Sequence, residues 1–121
     1  MLVHKHIVIR AEVLSPPKDI DYMKKWFEDL IVGIDMKILS GPHLVYSDVV
    51  GNRGFTGVCI IETSHIAMHT WDECDPSVMQ LDIYSCKDFD TNTILEKLKE
   101  FGIVKLEKIL LDREDSIKLI G

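Results

Sequence analysis

Three stretches of this chain alternate apolar and polar residues with a period of two, and that pattern restricts the fold more than any other feature. In 3–14, Ile7, Ile9 and Val13 fall on one side of the period, and His4, His6, Arg10 and Glu12 on the other. In 65–71, Ile66 and Met68 alternate against His65, Ala67, His69 and Trp71. In 79–85, Leu81 and Ile83 alternate against Asp82 and Tyr84, with Cys86 following in phase. Successive side chains of a strand point to opposite faces, so each stretch predicts a strand with one apolar and one polar side.

The segments between these strands supply the remaining layer. Ser15-Pro16-Pro17 ends the first strand, because proline cannot donate to a ladder and restricts its predecessor. Asp19 or Asp21 can then cap a helix reaching about Val32, with Ile20, Met23, Phe27, Leu30 and Ile31 as its buried stripe and Gly33 as its stop. Met36–Leu39 and His43–Tyr46 read as strand pieces broken at Gly41-Pro42, and 47–55 as a loop or hairpin connection. Thr56–Ile61 reads as a buried strand, and 72–76 as a turn. Asp90-Thr91-Asn92 caps a second helix with Ile94, Leu95, Leu98 and Phe101 inward, closed by Gly102. Val104–Leu111 is a last strand before a charged tail. This order predicts an α+β two-layer sandwich, an antiparallel sheet with both helices on one face. The uncovered sheet face calls for a second sheet, which a homodimer supplies.

Length and charge narrow the function classes. The 121 residues fit one domain, 1–121, able to bury its own core. A formal net charge of −6 argues against nucleic acid or an anionic membrane as the main partner. The apolar runs are too short to cross a bilayer and the first residues do not begin a signal peptide, so a cytoplasmic location is expected. The three cysteines, Cys59, Cys74 and Cys86, form no C-x-x-C pair and suit no disulfide framework. Cys59 reads as a small core residue and Cys74 lies in a polar turn.

Chemically capable residues gather in Glu62-Thr63-Ser64-His65-Ile66-Ala67-Met68-His69-Thr70-Trp71. His65 and His69 lack a third ligand at a familiar spacing, so no metal site is expected. Ser64 with His69 could imitate a hydrolase, but the G-x-S-x-G elbow is absent. Cys86 with His69 could form a thiol pair. Taken singly, each of these residues also has an ordinary explanation as a turn, cap or core residue.

Taken together, the ordered set resembles the small prokaryotic S-adenosylmethionine decarboxylases. The matching text is Thr56-Gly57, an apolar strand, Ser64-His65-Ile66 followed by His69-Thr70-Trp71 and Glu73, and then Leu81-Asp82-Ile83-Tyr84-Ser85-Cys86. The start at His6-Ile7-Val8-Ile9, the second helix and the final strand extend the match over nearly the whole chain. The resemblance implies a proenzyme that cuts itself between Thr63 and Ser64 into a β chain of 1–63 and an α chain of 64–121. Ser64 would become an N-terminal pyruvoyl group, a covalent cofactor that forms a Schiff base with the substrate amine and serves as electron sink for decarboxylation. By the same resemblance, His69 is the processing base, Thr56 the processing hydroxyl and Cys86 the proton donor. The implied substrate is the sulfonium amino acid S-adenosylmethionine, feeding polyamine synthesis, with Glu12, Arg10, Trp71 and Glu73 as candidate substrate contacts.

The match departs from the family at named positions. Thr63 stands where glutamate is usual, Arg10 where an early-strand glutamate is expected, and Asp72 where a proline follows the tryptophan. Val50 takes the place of an adenine-stacking aromatic, for which Tyr46 or Phe55 is a substitute. These departures keep two rivals open: the same chemistry on arginine or ornithine, and a non-processing homologue that binds or regulates.

Overall fold

All three alternating stretches lie side by side in one sheet. The computed structural model describes residues 3–121. Its elements in chain order are β1 Lys5–Val13, α1 Ile20–Gly33, β2 Ile38–Ser47, β3 Gly54–Ile61, β4 Ser64–Trp71 and β5 Ser77–Ser85. α2 Thr91–Leu98 follows, prolonged by a 3-10 turn Lys99–Phe101, and then β6 Ile103–Asp112 and β7 Lys118–Leu119. The seven strands run in the order β2-β3-β4-β5-β1-β6-β7, every neighbouring pair antiparallel.

One face of this sheet meets both helices. Ile7, Ile9, Ala11 and Val13 of β1, Ile66 and Met68 of β4, and Met79, Leu81 and Ile83 of β5 are buried there with Met23, Phe27, Leu30 and Ile31 of α1 and Ile94 and Leu98 of α2. Burying each large side chain of this set is worth about 2 kcal/mol relative to exposure, so the helix layer is held chiefly by this face. Gly57 permits the close approach of α1, since a Cβ there would lie 3.0 Å from Phe27 Cε2 and 2.4 Å from Leu44 Cδ2. Asp19 caps α1 by accepting from the Asp21 N–H, and Asp90 caps α2 by accepting from the Asn92 N–H.

Several details differ from the sequence reading. Ile20 is 47% exposed rather than part of the stripe, because the cap at Asp19 makes it the first helical residue. Trp26 takes the buried place instead, donating from Nε1 to the Lys97 carbonyl at 3.1 Å. The left-handed residue after α1 is Asp35, at φ 60°, not Gly33. β2 is one strand that passes through Gly41-Pro42 with register shifts rather than two pieces. β3 is buried on one side only, with Val58 at 44% and Ile60 at 51% exposure. The charged tail contains β7, which adds an edge to β6 through Leu111 and Asp112.

The second face of the sheet is open. Its central cross-strand row is His43, Val58, Ala67, Asp82, Val8 and Ile109. One flanking row holds Ile60, His65, Tyr84, His6 and Leu111, and the other holds Val45, Thr56, His69, Gln80, Arg10 and Glu107. No helix of the described chain is long and apolar enough to cross a membrane.

Candidate active site

The β3–β4 hairpin has a two-residue turn, Glu62-Thr63, enclosed by the Ile61–Ser64 pair. Two-residue hairpins need positive φ within the turn, which glycine or asparagine supplies most readily. Neither turn residue here is of that kind, and β-branched Thr63 is especially unsuited to it. The positive φ falls on Ser64 instead, at 143°, a conformation that L-residues hold only when surrounding structure forces it. The forcing structure is the ladder on both sides, since Ser64 pairs with Ile61 of β3 and Ser85 of β5.

The carbonyl just before this residue is also engaged. The Cys86 N–H donates to the Thr63 carbonyl oxygen at 2.9 Å, a distance suited to stabilising an oxyanion formed there. Ser85 Oγ donates to Thr63 Oγ1 at 3.0 Å and accepts from the Lys87 N–H at 2.9 Å. Thr63 Oγ1 also lies 3.0 Å from Met36 Sδ. Thr63 is thus held through both its backbone and its hydroxyl. Cys86 contributes its backbone, and its side chain is half-buried and free.

Thr56 and His69 form a second group, on the open face. They are cross-strand partners, with Thr56 Oγ1 3.3 Å from His69 Nδ1. The Trp71 ring stacks on the imidazole at a centroid separation of 5.9 Å and 28° between planes. Trp71 Nε1 donates to Asn52 Oδ1 at 3.0 Å. Glu73 accepts from the Gly51 N–H at 2.8 Å and the Arg53 N–H at 2.9 Å. Those two donors bind the ionised form and hold the Glu73 carboxyl below its ordinary value.

Beside His69 lies a concavity of about 420 Å³ bordered by His6, Arg10, Gln80 and Asp82. A second of about 420 Å³, sharing Arg10 and Gln80, extends to Trp71 and Glu73. Arg10 donates from Nη1 to Glu12 Oε2 at 2.8 Å. That bond raises the Arg10 value and lowers that of Glu12, so both groups stay charged. Val50 lies at the tip of the 48–53 turn and is 77% exposed. Tyr46 and Phe55 contact each other edge to face at 5.0 Å, bordering a separate hollow with Lys18, Ile20 and Asp72.

The structure does not bring the two groups together within one chain. Ser64 and His69 are five residues apart on the same extended strand, about 17 Å at the rise of a strand. His69 pairs with Gln80 of β5, and Cys86 is six residues further on, about 20 Å away. The expected meeting of His69 with Cys86 is therefore not made inside a single protomer. Sequence reasoning also passed over Asn52, Ser85 and Asp82. Asp82 accepts from or pairs with His6 at 3.1 Å and His65 at 3.7 Å, a cluster signalled only by their shared place in the alternation.

Comparison with known proteins finds relatives of this chain by sequence and by fold. The family model for S-adenosylmethionine decarboxylase matches residues 5–114. A Clostridium botulinum (strain Langeland) protein described as an S-adenosylmethionine decarboxylase proenzyme is 32% identical over 99 residues, covering 78% of this chain and 80% of the relative. A proenzyme of the same description from Archaeoglobus fulgidus is 28% identical over 89 residues, covering 73% and 75%. The crystal structure of the adenosylmethionine decarboxylase from Aquifex aeolicus VF5 superposes with a TM-score of 0.72 at 19% identity, covering 95% of this chain and 96% of that one. It shares the fold, and the sequence match spans the hairpin, the Thr56–His69 pair and the strand leading to Cys86. The chain belongs to the S-adenosylmethionine decarboxylase family.

Proposed function

We propose that this protein is a self-cleaving proenzyme whose mature form decarboxylates S-adenosylmethionine for polyamine synthesis, acting as a homodimer. The observation that carries this reading is the Thr63–Ser64 bond itself: a carbonyl bonded by the Cys86 N–H at 2.9 Å next to a serine at φ 143°. Attack of Ser64 Oγ on the Thr63 carbonyl carbon puts negative charge on the oxygen that this N–H already holds. Collapse breaks the C–N bond, protonates the Ser64 nitrogen and leaves an ester. Loss of the Ser64 α-proton to a histidine base then expels the Thr63 carboxylate, ending the β chain at 63 and starting the α chain at 64. Water replaces the nitrogen of the resulting dehydroalanine, with release of ammonia, to leave the pyruvoyl carbonyl. That group supplies an electron sink for decarboxylation. The Cys86 thiol, at the same end of the sheet, is the proton donor that completes turnover.

The base must come from elsewhere, because His69 is about 17 Å along the strand from Ser64 in the same protomer. A second copy laid face to face on the open side solves this. A two-fold axis through the Ala67–Asp82–Val8 row opposes the His6–Tyr84–His65 row of one copy to the Arg10–Gln80–His69 row of the other. It brings His69 and Thr56 of each toward Ser64 of its mate. The test is complementation. Ser64→Ala and His69→Ala chains, each uncleaved alone, should on mixing yield cleavage of the His69→Ala chain. No cleavage in the mixture, with each parent dimeric, overturns the shared site.

A second reading keeps the chemistry and changes the substrate to arginine or ornithine. Val50 favours it, since it stands 77% exposed where an aromatic ring would stack on adenine, a group that neither amino acid carries. Carbon dioxide release measured with S-adenosylmethionine, arginine and ornithine decides between the two.

A further inference from the structure

Trp71 and Glu73 were both candidates for substrate contact, yet the polar atoms of each are already committed to one short turn. Both Glu73 oxygens lie against backbone donors of that turn, Oε1 at 2.8 Å from the Gly51 nitrogen and 2.9 Å from that of Arg53, and Oε2 at 3.1 Å from Gly51. The residue between those donors is Asn52, whose Oδ1 accepts the Trp71 indole N–H at 3.0 Å. The indole ring in turn covers one side of the His69 imidazole, while His69 Nδ1 faces Thr56 Oγ1 at 3.3 Å. Each contact fixes the next: carboxylate to turn, turn amide to indole, indole to imidazole, imidazole to hydroxyl.

The consequence for the base is geometric. An imidazole on a half-exposed strand can rotate about its terminal torsion, which has broad, weakly separated minima. Stacking on Trp71 restricts the ring plane, and the Thr56 contact chooses which nitrogen points inward. The other nitrogen, Nε2, is left to take a proton. Trp71 can do this only while its own rotamer is fixed, and Asn52 is what fixes it. The turn is exposed, with Gly51 and Asn52 both open to solvent, and the Glu73 carboxylate joins the Asn52–Val49 and Asp72–Arg53 backbone bonds in holding its shape.

We propose that the 51–53 turn is the positioning element of the processing histidine, with Asn52 acting on His69 through the Trp71 indole and Glu73 holding the turn. This rests on the self-cleavage reading above. It separates from a substrate-binding role because self-cleavage involves no substrate: a residue that only contacts substrate changes KM and leaves cleavage alone.

The experiment follows the freshly translated full-length chain by mass, with and without hydroxylamine, which cuts the ester intermediate before elimination. Asn52→Ala should slow conversion of ester to cleaved chain about tenfold, the effect of one lost orienting hydrogen bond, with hydroxylamine-labile ester accumulating. Trp71→Phe keeps an aromatic ring at this place and loses the N–H, so it should match Asn52→Ala, and the double variant should be no slower than either single one. Glu73→Gln should slow the same step with the ester again accumulating. Wild-type cleavage rates in Asn52→Ala, effects that multiply in the double variant, or a Glu73→Gln change confined to KM would each overturn the proposal. An uncleaved wild-type chain would instead overturn the cleavage reading. The imidazole ¹⁵N shifts of His69 keep the positioning claim testable in that case: they should move in Asn52→Ala, and unchanged shifts refute it.

Discussion

Replacing Ser64 by glycine should make the chain more stable than replacing it by alanine. Neither variant can cleave, so the comparison is free of processing. At φ 143° an L-residue carries strain of about 1–3 kcal/mol, which glycine escapes for want of a Cβ. Glycine also loosens the unfolded chain, at a cost of about 0.4–1 kcal/mol. At the middle of these ranges the difference leaves Ser64→Gly ahead of Ser64→Ala by about 1.3 kcal/mol. Urea unfolding of the two variants at equal protein concentration measures this directly, because any dimer adds a concentration term common to both. For a domain of this size the gap should also appear as a rise in Tm of about 5 °C. Equal midpoints, or a more stable alanine variant, would refute the claim that strain is stored at Ser64. A confirmed gap would mean that cleavage, by freeing Ser64 from its peptide bond, releases strain in the direction of the reaction.

Two further outcomes follow from individual contacts. Cys86→Ser keeps the backbone N–H that meets the Thr63 carbonyl at 2.9 Å, so self-cleavage should stay within about twofold of wild type while carbon dioxide release falls more than about tenfold, as expected of a lost proton donor rather than a lost oxyanion contact. Glu73 is held below its ordinary value of 4.5 by the Arg53 and Gly51 amides, so the stability it contributes is fully present above that value and disappears as pH falls through the lower folded one. The stability difference between wild type and Glu73→Gln should therefore be constant at neutral pH and shrink only below about pH 4.5. A difference that instead grows in acid would contradict the assignment of those two bonds.

The alternation made the sheet legible, because a period of two cannot be satisfied by a helix, and the aspartates before each helix marked both starts. β2 was not legible as one strand, since Gly41-Pro42 interrupts the pattern while the backbone continues past it with shifted register. β7 was not legible because two paired residues carry no period at all. At the site, resemblance points to Ser64, His69, Thr56 and Cys86, and the Thr56–His69 contact follows from strand pairing once the turn is known. Distance could not be read. Five residues span about 7.5 Å in a helix and about 17 Å in a strand, so nearness in sequence disguised a separation in space. Asn52 was hidden for another reason: its role depends on a turn folding back onto Trp71 and Glu73, some twenty residues away.

The open face explains why the sheet carries two kinds of residue on its polar side. Val8, Val58 and Ile109 are each more than 40% exposed on the central row, and apolar side chains in such a row gain from a matching surface. Asp82 stands in the same row, where its symmetry mate would approach it, and His6 and His65 on either side offer it hydrogen-bonding partners. The outer rows differ from one another: one neighbours Ser64, and the other carries Thr56 and His69. A face with unlike halves on either side of a self-complementary row is what a two-fold interface requires, because each half must meet the other and not itself. In that arrangement the strand geometry that separates Ser64 from His69 within a chain is the same geometry that joins them between chains. On the proposed dimer, cleavage would wait for assembly, and a nascent monomer would not cut its own hairpin before its sheet is covered.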